Sequence, residues 1–302
     1  MTELRLGLIG TGRWGRILLR TASGIEGARI ARIATRRPET LDSIPADCAV
    51  SADWHALIEA DDLDGVIIAS PPTLHREMAA MALARGLAVF LEKPMALDVA
   101  DAADLLAMVR EKRGILQIDH VDLFNPAWRA LRGHLTVLGQ LHGGEARFGA
   151  DGPVRSDVSA LWDWAPHPVA LALDLFGTPQ TVRLTALKRR EAGRLNAVFE
   201  LGFAGDAVVT VETGNDFAEK KRKFLVKGER GSLCYDDGSP KKLVRTDGAG
   251  DTPLPVPDTQ PLTLALRRFV DTIWAGGASY EDAALGLGVV SVIALLHEAA
   301  KD

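Results

Sequence analysis

The apolar run Leu4–Ile9 ends directly in Gly10-Thr11-Gly12-Arg13-Trp14-Gly15, after which apolar residues recur at helical spacing. A strand that turns at once into a helix, with glycines at these three positions, leaves few folds open. The first glycine makes the tight turn, the second lets another group approach the backbone, and the third lets helix and strand pack closely. Apolar runs follow at Ala28–Thr35, Asp64–Ser70, Leu87–Leu91 and Gly114–Val121, with helical spacing over Trp14–Ser23, His75–Arg85 and Asp98–Arg113. Such runs are too continuous for one-sided burial, and their alternation with helices predicts a doubly wound parallel sheet, an α/β Rossmann domain over residues 1–121.

The pattern changes after about Asp122. Thr181–Lys188, Leu195–Phe203, Ala207–Glu212, Lys223–Lys227 and Ser232–Tyr235 are closely spaced strand candidates joined by Ala204-Gly205-Asp206 and Gly228-Glu229-Arg230-Gly231. Connections this short make antiparallel neighbours, because a parallel crossover needs a dozen residues or more. An α+β domain with an open, mostly antiparallel sheet is therefore predicted for residues 122–302. Helices over about Leu262–Trp274 and Tyr280–Ala300 close it, and four prolines in Asp247–Pro261 argue against regular structure there.

At 302 residues and 47% hydrophobic composition, each of two domains has enough apolar side chain for its own core. The formal net charge of −5 comes without a long block of like charge, which excludes an evident nucleic-acid or anionic-membrane partner. Cys48 and Cys234 form neither a disulfide framework nor, with histidines, a metal-ligand spacing, so no metal is expected. With an apolar strand within the first few residues, no signal peptide is expected. The apolar stretch Leu285–Leu296 falls short of the roughly 20 residues that span a bilayer, so a soluble cytoplasmic protein is expected.

In its strand–helix context the glycine turn predicts a dinucleotide site, with pyrophosphate at the positive end of the helix and Thr11, Arg13 and Trp14 beside it. About 20 residues further on, where a cofactor lacking a 2′-phosphate usually meets an acid, stand Thr35, Arg36 and Arg37. Guanidinium groups suit a 2′-phosphate, so NADP(H) is preferred and NAD(H) is the alternative. The competing reading makes the two arginines a solvated helix start. Ser70-Pro71-Pro72-Thr73-Leu74-His75 ends the fourth strand, so Ser70, Pro72 and His75 are candidates to line the cofactor crevice, or else Thr73 only caps a helix and His75 lies on its surface.

Glu92-Lys93-Pro94 ends the run Leu87–Leu91, which puts a lysine at the carboxyl end of a buried strand. Lys93 could polarise a carbonyl or relay a proton there, or simply pair with Glu92, and Pro94 would fix the turn, with a cis peptide as one way to do so. Further on, Asp163 and His167 stand four apart in Trp162-Asp163-Trp164-Ala165-Pro166-His167-Pro168. On a continuous helix they share a face, whereas proline in the first turn would start the helix near Ala165 and leave Asp163 as a cap. A histidine that titrates near neutral pH suits the proton transfer that accompanies hydride transfer.

Together these motifs, with Val121–Pro126 and Val226-x-Gly228-x-x-Gly231, resemble the Gfo/Idh/MocA family of glucose-fructose oxidoreductase, inositol dehydrogenase and rhizopine-catabolism proteins. The resemblance implies catalytic roles for Lys93, Asp163 and His167, which would also touch the substrate: His167 moves the hydroxyl proton, Lys93 orients and polarises the reacting oxygen, and Asp163 holds the other two and the substrate. Glu92 and Lys93 would also meet the cofactor. It further implies a sugar, sugar-derivative or cyclitol substrate and a homodimer or homotetramer built through the second domain's sheet. Asn125, Arg155 and Trp162 are the remaining candidates for substrate contact. Two other readings keep the fold: a non-catalytic nicotinamide- and sugar-sensing regulator, and a reductase of a non-carbohydrate carbonyl or imine with Trp162 and Trp164 as an apolar clamp.

Overall fold

A computed structural model describes residues 3–301 apart from Asp42, Ala46 and Pro153, and describes Ala192 without its side chain. Parallel strands β1 (Leu4–Ile9), β2 (Ala28–Ala34), β3 (Ala49–Ser51), β4 (Gly65–Ile68), β5 (Ala88–Leu91) and β6 (Leu116–Ile118) form one sheet in the order β3-β2-β1-β4-β5-β6. Helices α1 (Arg13–Ala22), α2 (Trp54–Glu59), α3 (His75–Ala84) and α4 (Val99–Lys112) make the crossovers. Val66, Ile67, Ile68, Val89, Phe90 and Leu91 are wholly buried, as expected of central strands covered on both faces. The direction of winding reverses between β1 and β4, the place where doubly wound sheets open a ligand crevice at their carboxyl ends.

The second sheet orders its strands β14-β13-β12-β11-β7-β10-β9-β8. They are β7 (Leu141–Asp151), β8 (Thr181–Arg189), β9 (Leu195–Gly202), β10 (Val208–Gly214), β11 (Asp216–Gly228), β12 (Gly231–Asp236), β13 (Leu243–Asp247) and β14 (Gly250–Pro253). All neighbours are antiparallel except β7 and β10. One face is closed by α5 (Pro126–Gly133), α6 (Ala160–Trp164) and α7 (Pro166–Phe176). Trp128 of α5 sits edge-on to Phe224 and Tyr235 at ring-centroid distances of 5.2 and 6.0 Å, and its indole N–H donates to Asp174 Oδ2 at 2.9 Å.

No sequence pattern marked β7, because glycines interrupt it. Gly143 has φ +120, and a Cβ there would lie 1.8 Å from the Val208 carbonyl oxygen. The strand needs glycine to admit β10 alongside it. β14 corrects the expectation of no regular structure from Asp247 onward. It is the edge strand of the sheet, and an edge tolerates a proline such as Pro253, whose missing N–H breaks no ladder bond.

Two compact units result: the described residues up to Asp119 with Leu262–Leu287, and His120–Pro261 with the described residues from Gly288 onward. The sequence pattern had assigned both closing helices, α8 (Pro261–Trp274) and α9 (Tyr280–Ala299), to the second domain. Helix α8 and the start of α9 up to Leu287 group with the first unit and the rest of α9 with the second; the amide of Gln117 donates to Ala265 O at 2.9 Å, Leu116 N–H donates to Ser279 Oγ at 2.8 Å, and Phe269 meets Phe90 edge-on at 5.6 Å. By length and mean hydropathy, α9 is also long and apolar enough to cross a membrane, a property the shorter run Leu285–Leu296 had concealed and one that core helices share.

Trp128→Ala should destabilise the protein by about 3–5 kcal/mol, the usual cost of removing a buried tryptophan, measured by urea unfolding followed by circular dichroism.

Candidate active site

At the carboxyl edge of the first sheet, β1 ends in the glycine turn. Gly10 has φ +92, and a Cβ there would meet Ala69 O at 2.5 Å. A Cβ on Gly15 would lie 2.1 Å from Gly10 O, while one on exposed Gly12 would meet nothing within 4 Å. Two of the glycines therefore serve internal packing and the third opens outward. Helix α1 starts there with no side-chain cap and no acid in its first turn, which leaves its N–H groups available to an anion. A pyrophosphate group fits this cradle.

The hydroxyls of Thr11 and Thr35 are buried against each other, and Thr35 Oγ1 also accepts from Arg37 N–H at 3.1 Å. These side chains, candidate cofactor contacts in the sequence, instead brace the loop after β2. Arg36 and Arg37 are exposed, and among the described residues no carboxylate pairs with either. Arg13 and Trp14 are exposed beside Gly12.

Ser70 and Pro72 follow β4, with a 3₁₀ turn over Pro72–Leu74 before α3. His75 is fully buried, with Nδ1 2.7 Å from Pro94 O and Nε2 3.1 Å from Ser70 O. Its ring faces inward to two carbonyls, which corrects both its assignment to the crevice wall and the surface alternative. Thr73 caps nothing, because α3 begins behind Leu74 with no side-chain cap. His75 thus lies between the end of β4 and the carbonyl of Pro94, which follows a cis Lys93–Pro94 peptide. Lys93 is half-buried at the end of β5.

Asp119 supplies a partner that the sequence motifs did not mark. Leu91 and Ile118 are register partners, and Asp119 N–H donates to Leu91 O at 2.7 Å, so Glu92 and Asp119 leave adjacent strands side by side. Both are buried. Burial first, and then the neighbouring Asp119 charge, push the Glu92 carboxyl well above its usual range, against the smaller opposing effects of Lys93 and of the nearby Trp14 indole. Two acids so close cannot both ionise readily, and the pair keeps a proton.

In the second unit Asp163 lies in α6, behind the N-cap Ser159, so it is no cap. Ala165 has helical φ/ψ and joins α6 to α7, so the break reflects Pro166 and Pro168, which have no N–H to donate. His167 Nδ1 lies 2.7 Å from Asp122 Oδ2, and Asp122 Oδ1 accepts from Arg222 Nη1 at 2.7 Å. Although burial alone would raise it, Arg222 and His167 hold the Asp122 carboxyl far below its usual range. Asp122 lies in the Val121–Pro126 motif but was given no role there, and Arg222 escaped the sequence reading, because the two meet only across 100 residues of chain.

The substrate candidates divide. Asn125 is buried, accepts from Ala127 N–H at 3.0 Å as the α5 cap, and donates to Asp237 Oδ1 at 3.0 Å. Trp162 is buried in the core near His297, at a centroid distance of 6.4 Å, while half-buried Trp164 lies 6.2 Å from the His167 ring. Neither Asn125 nor Trp162 presents the face expected of it. Arg155 grips Asp157 at 2.9 and 2.6 Å and donates to Asp163 Oδ1 at 3.1 Å. With Arg190, Arg194 and Asn215 it lines a polar cleft of about 420 Å³. Among the described residues no group of three or more His, Cys, Asp or Glu could hold a metal.

The family model described as "Oxidoreductase family, NAD-binding Rossmann fold" matches residues 4–120, and that of the "GFO/IDH/MocA C-terminal domain" matches residues 136–234. The chain belongs to the Gfo/Idh/MocA oxidoreductase family. It is similar throughout to a protein from Magnetospirillum magnetotacticum MS-1 provisionally named an oxidoreductase, whose crystal structure matches with a TM-score of 0.89 and 34% identity over 97% of this chain and 99% of that one. The dTDP-3,4-didehydro-2,6-dideoxy-alpha-D-glucose 3-reductase of Streptomyces violaceoruber is 29% identical over 252 residues, 76% of this chain and 72% of that protein. The 2,7-anhydro-N-acetylneuraminate hydratase of Mediterraneibacter gnavus is 35% identical over 123 residues, 40% of this chain and 32% of that protein. The matches span between 32% and 46% of the length of the first curated Gfo/Idh/MocA relatives.

The raised Glu92 carboxyl has a consequence for stability. Folded Glu92 retains a proton that it loses near its ordinary value of about 4.3 when unfolded, so its contribution is complete below that value and is lost as pH rises through the folded one. Glu92→Gln, which keeps the shape and cannot ionise, should raise Tm at pH 8 by on the order of a few degrees, with the gain vanishing towards pH 4 in scanning calorimetry. A Tm at pH 8 no higher than wild type would contradict the shared proton.

Proposed function

We propose that this protein is an oxidoreductase, preferring NADP(H) to NAD(H), that moves hydride between nicotinamide and a secondary alcohol or ketone of a sugar, sugar derivative or cyclitol. The observation that carries this reading is the common carboxyl edge of β1, β4 and β5. Ile9 pairs with Ile68 and Ile68 with Leu91, so the glycine cradle and Glu92-Lys93 lie two strand spacings apart, roughly 10 Å. One extended dinucleotide could reach from one to the other. Family membership and the names of relatives that act on sugars support the substrate class, as does a cleft lined by polar and charged groups.

The bound nicotinamide would supply or accept the hydride. In the oxidative direction the substrate C–H leaves as hydride, its O–H proton passes to His167, and the carbon becomes a carbonyl. Lys93 orients and polarises that oxygen, and Asp163 assists them through its place in the Arg155 network. Exposed Arg36 and Arg37, with no acid at the end of β2, support a 2′-phosphate site. The first unit then serves the dinucleotide and the second the substrate. We further propose a cytoplasmic homodimer or homotetramer assembled on the second sheet, away from α5–α7.

Lys93→Ala should lower turnover about 100-fold or more on a sugar and cyclitol panel while NADPH still quenches protein fluorescence as in wild type. Near-normal rates would end the role given to Lys93. Replacing both Arg36 and Arg37 by alanine should weaken NADPH binding on the order of 100-fold or more and leave NADH nearly unaffected, since each charge-assisted hydrogen bond contributes about 1.5–3 kcal/mol. Equal losses in fluorescence titrations with the two cofactors would separate the arginines from the phosphate.

A further inference from the structure

We propose that Asp122 and Arg222 act as positioning residues that lock the neutral imidazole of His167 in its Nδ1–H tautomer and so keep Nε2 as the proton-accepting nitrogen. The inference rests on the acid–base role proposed for His167 but concerns a property of the protein alone.

Three buried or nearly buried groups stand in line. Asp122 is 4% exposed, His167 is 8% exposed, and the Arg222 side chain is 20% exposed. They come from three separate elements: Asp122 from the 3₁₀ turn Val121–Phe124, His167 from the first turn of α7, and Arg222 from β11. An arginine can only donate, so Nη1 fixes Asp122 Oδ1 as an acceptor at 2.7 Å. The opposite oxygen faces His167 Nδ1 at 2.7 Å, and as part of an ionised carboxylate it too can only accept. The proton between them therefore belongs to Nδ1, and a neutral ring then carries its lone pair on Nε2.

The surroundings keep Arg222 on this task. Asp237, another carboxylate near it, already accepts from Asn125 at 3.0 Å. On β12 the phenol of Tyr235 is buried and, among the described residues, has no hydrogen-bond partner, and burial pushes it well above its usual range, so it adds no competing charge. The resemblance gives Asp163 a part in holding His167; at Nδ1 the partner is Asp122.

This logic predicts an unusual pair of variants. In Asp122→Asn the guanidinium still demands an oxygen, so it takes the amide Oδ1 and turns the NH₂ towards His167. Facing two N–H donors, Nδ1 must become the acceptor and the proton must move to Nε2. With Arg222→Leu added, nothing holds the amide, and it is free to turn its oxygen back to Nδ1–H.

The test is long-range ¹H–¹⁵N correlation NMR of the full chain labelled on histidine, without ligand, at a pH where the imidazole is neutral. His167→Gln identifies the signal, and circular dichroism verifies folding of each variant. The expected results are Nδ1–H in wild type, its loss to Nε2–H in Asp122→Asn, and its return in Asp122→Asn/Arg222→Leu. An Nε2–H ring in wild type would overturn the proposal even if no variant folds, and a folded Asp122→Asn that keeps Nδ1–H would do the same. A double variant that stays Nε2–H would remove Arg222 from the device. None of these readings depends on turnover, so the proposal can fail while the oxidoreductase reading stands, and the reverse.

Discussion

At Gly15 a Cβ would be pressed to within 2.1 Å of the Gly10 carbonyl oxygen, and at Gly10 one would meet Ala69 at 2.5 Å. Helix α1 can lie this close to β1 and β4 only because both positions lack a side chain. That approach aims the uncapped start of the helix across the carboxyl edge of the sheet. It also brings the ends of β1, β4 and β5 into one row, on which the loop after β2, the Ser70 turn and Glu92-Lys93 all depend. The bracing bonds of His75 and of the two threonines keep this edge in shape from behind.

Buried carboxylates in the two units illustrate opposite solutions to one problem. At Glu92 desolvation and the Asp119 charge outweigh the opposing Lys93, and its carboxyl is held well above its usual range. Asp122 is equally buried, yet a guanidinium and an imidazole on its two oxygens keep it ionised. Desolvation is the same kind of penalty in both places, and the neighbours decide its outcome.

The sequence exposed what is local. Periodicity and glycine spacing marked the parallel strands, the crossover helices and the dinucleotide turn, because each depends on residues close in the chain. Lys93 and His167 stood out as reactive residue types within motifs. What escaped was set by distant partners. Asp119 and Asp122 matter through Glu92, His167 and Arg222, and nothing in their flanking residues says so. β7 was hidden by glycines that serve a neighbour it meets only after folding, and the short exposed β3 had too few apolar residues to register. Trp162 and Asn125 looked like contact residues by type, but burial and capping had already claimed them.

The closing helices give the first unit a dependence on chain order. Its edge strand β6 finds the acceptor for Leu116 N–H in Ser279, and the buried amide of Gln117 finds its acceptor in Ala265. Both lie beyond the whole of the second sheet in sequence. During synthesis on a ribosome, the first six strands therefore emerge with an uncovered flank and an apolar Phe90 that lacks its aromatic neighbour. That unit cannot be finished before the rest of the polypeptide has appeared, and an isolated fragment ending at Asp119 would present a sticky strand edge to any other chain it met.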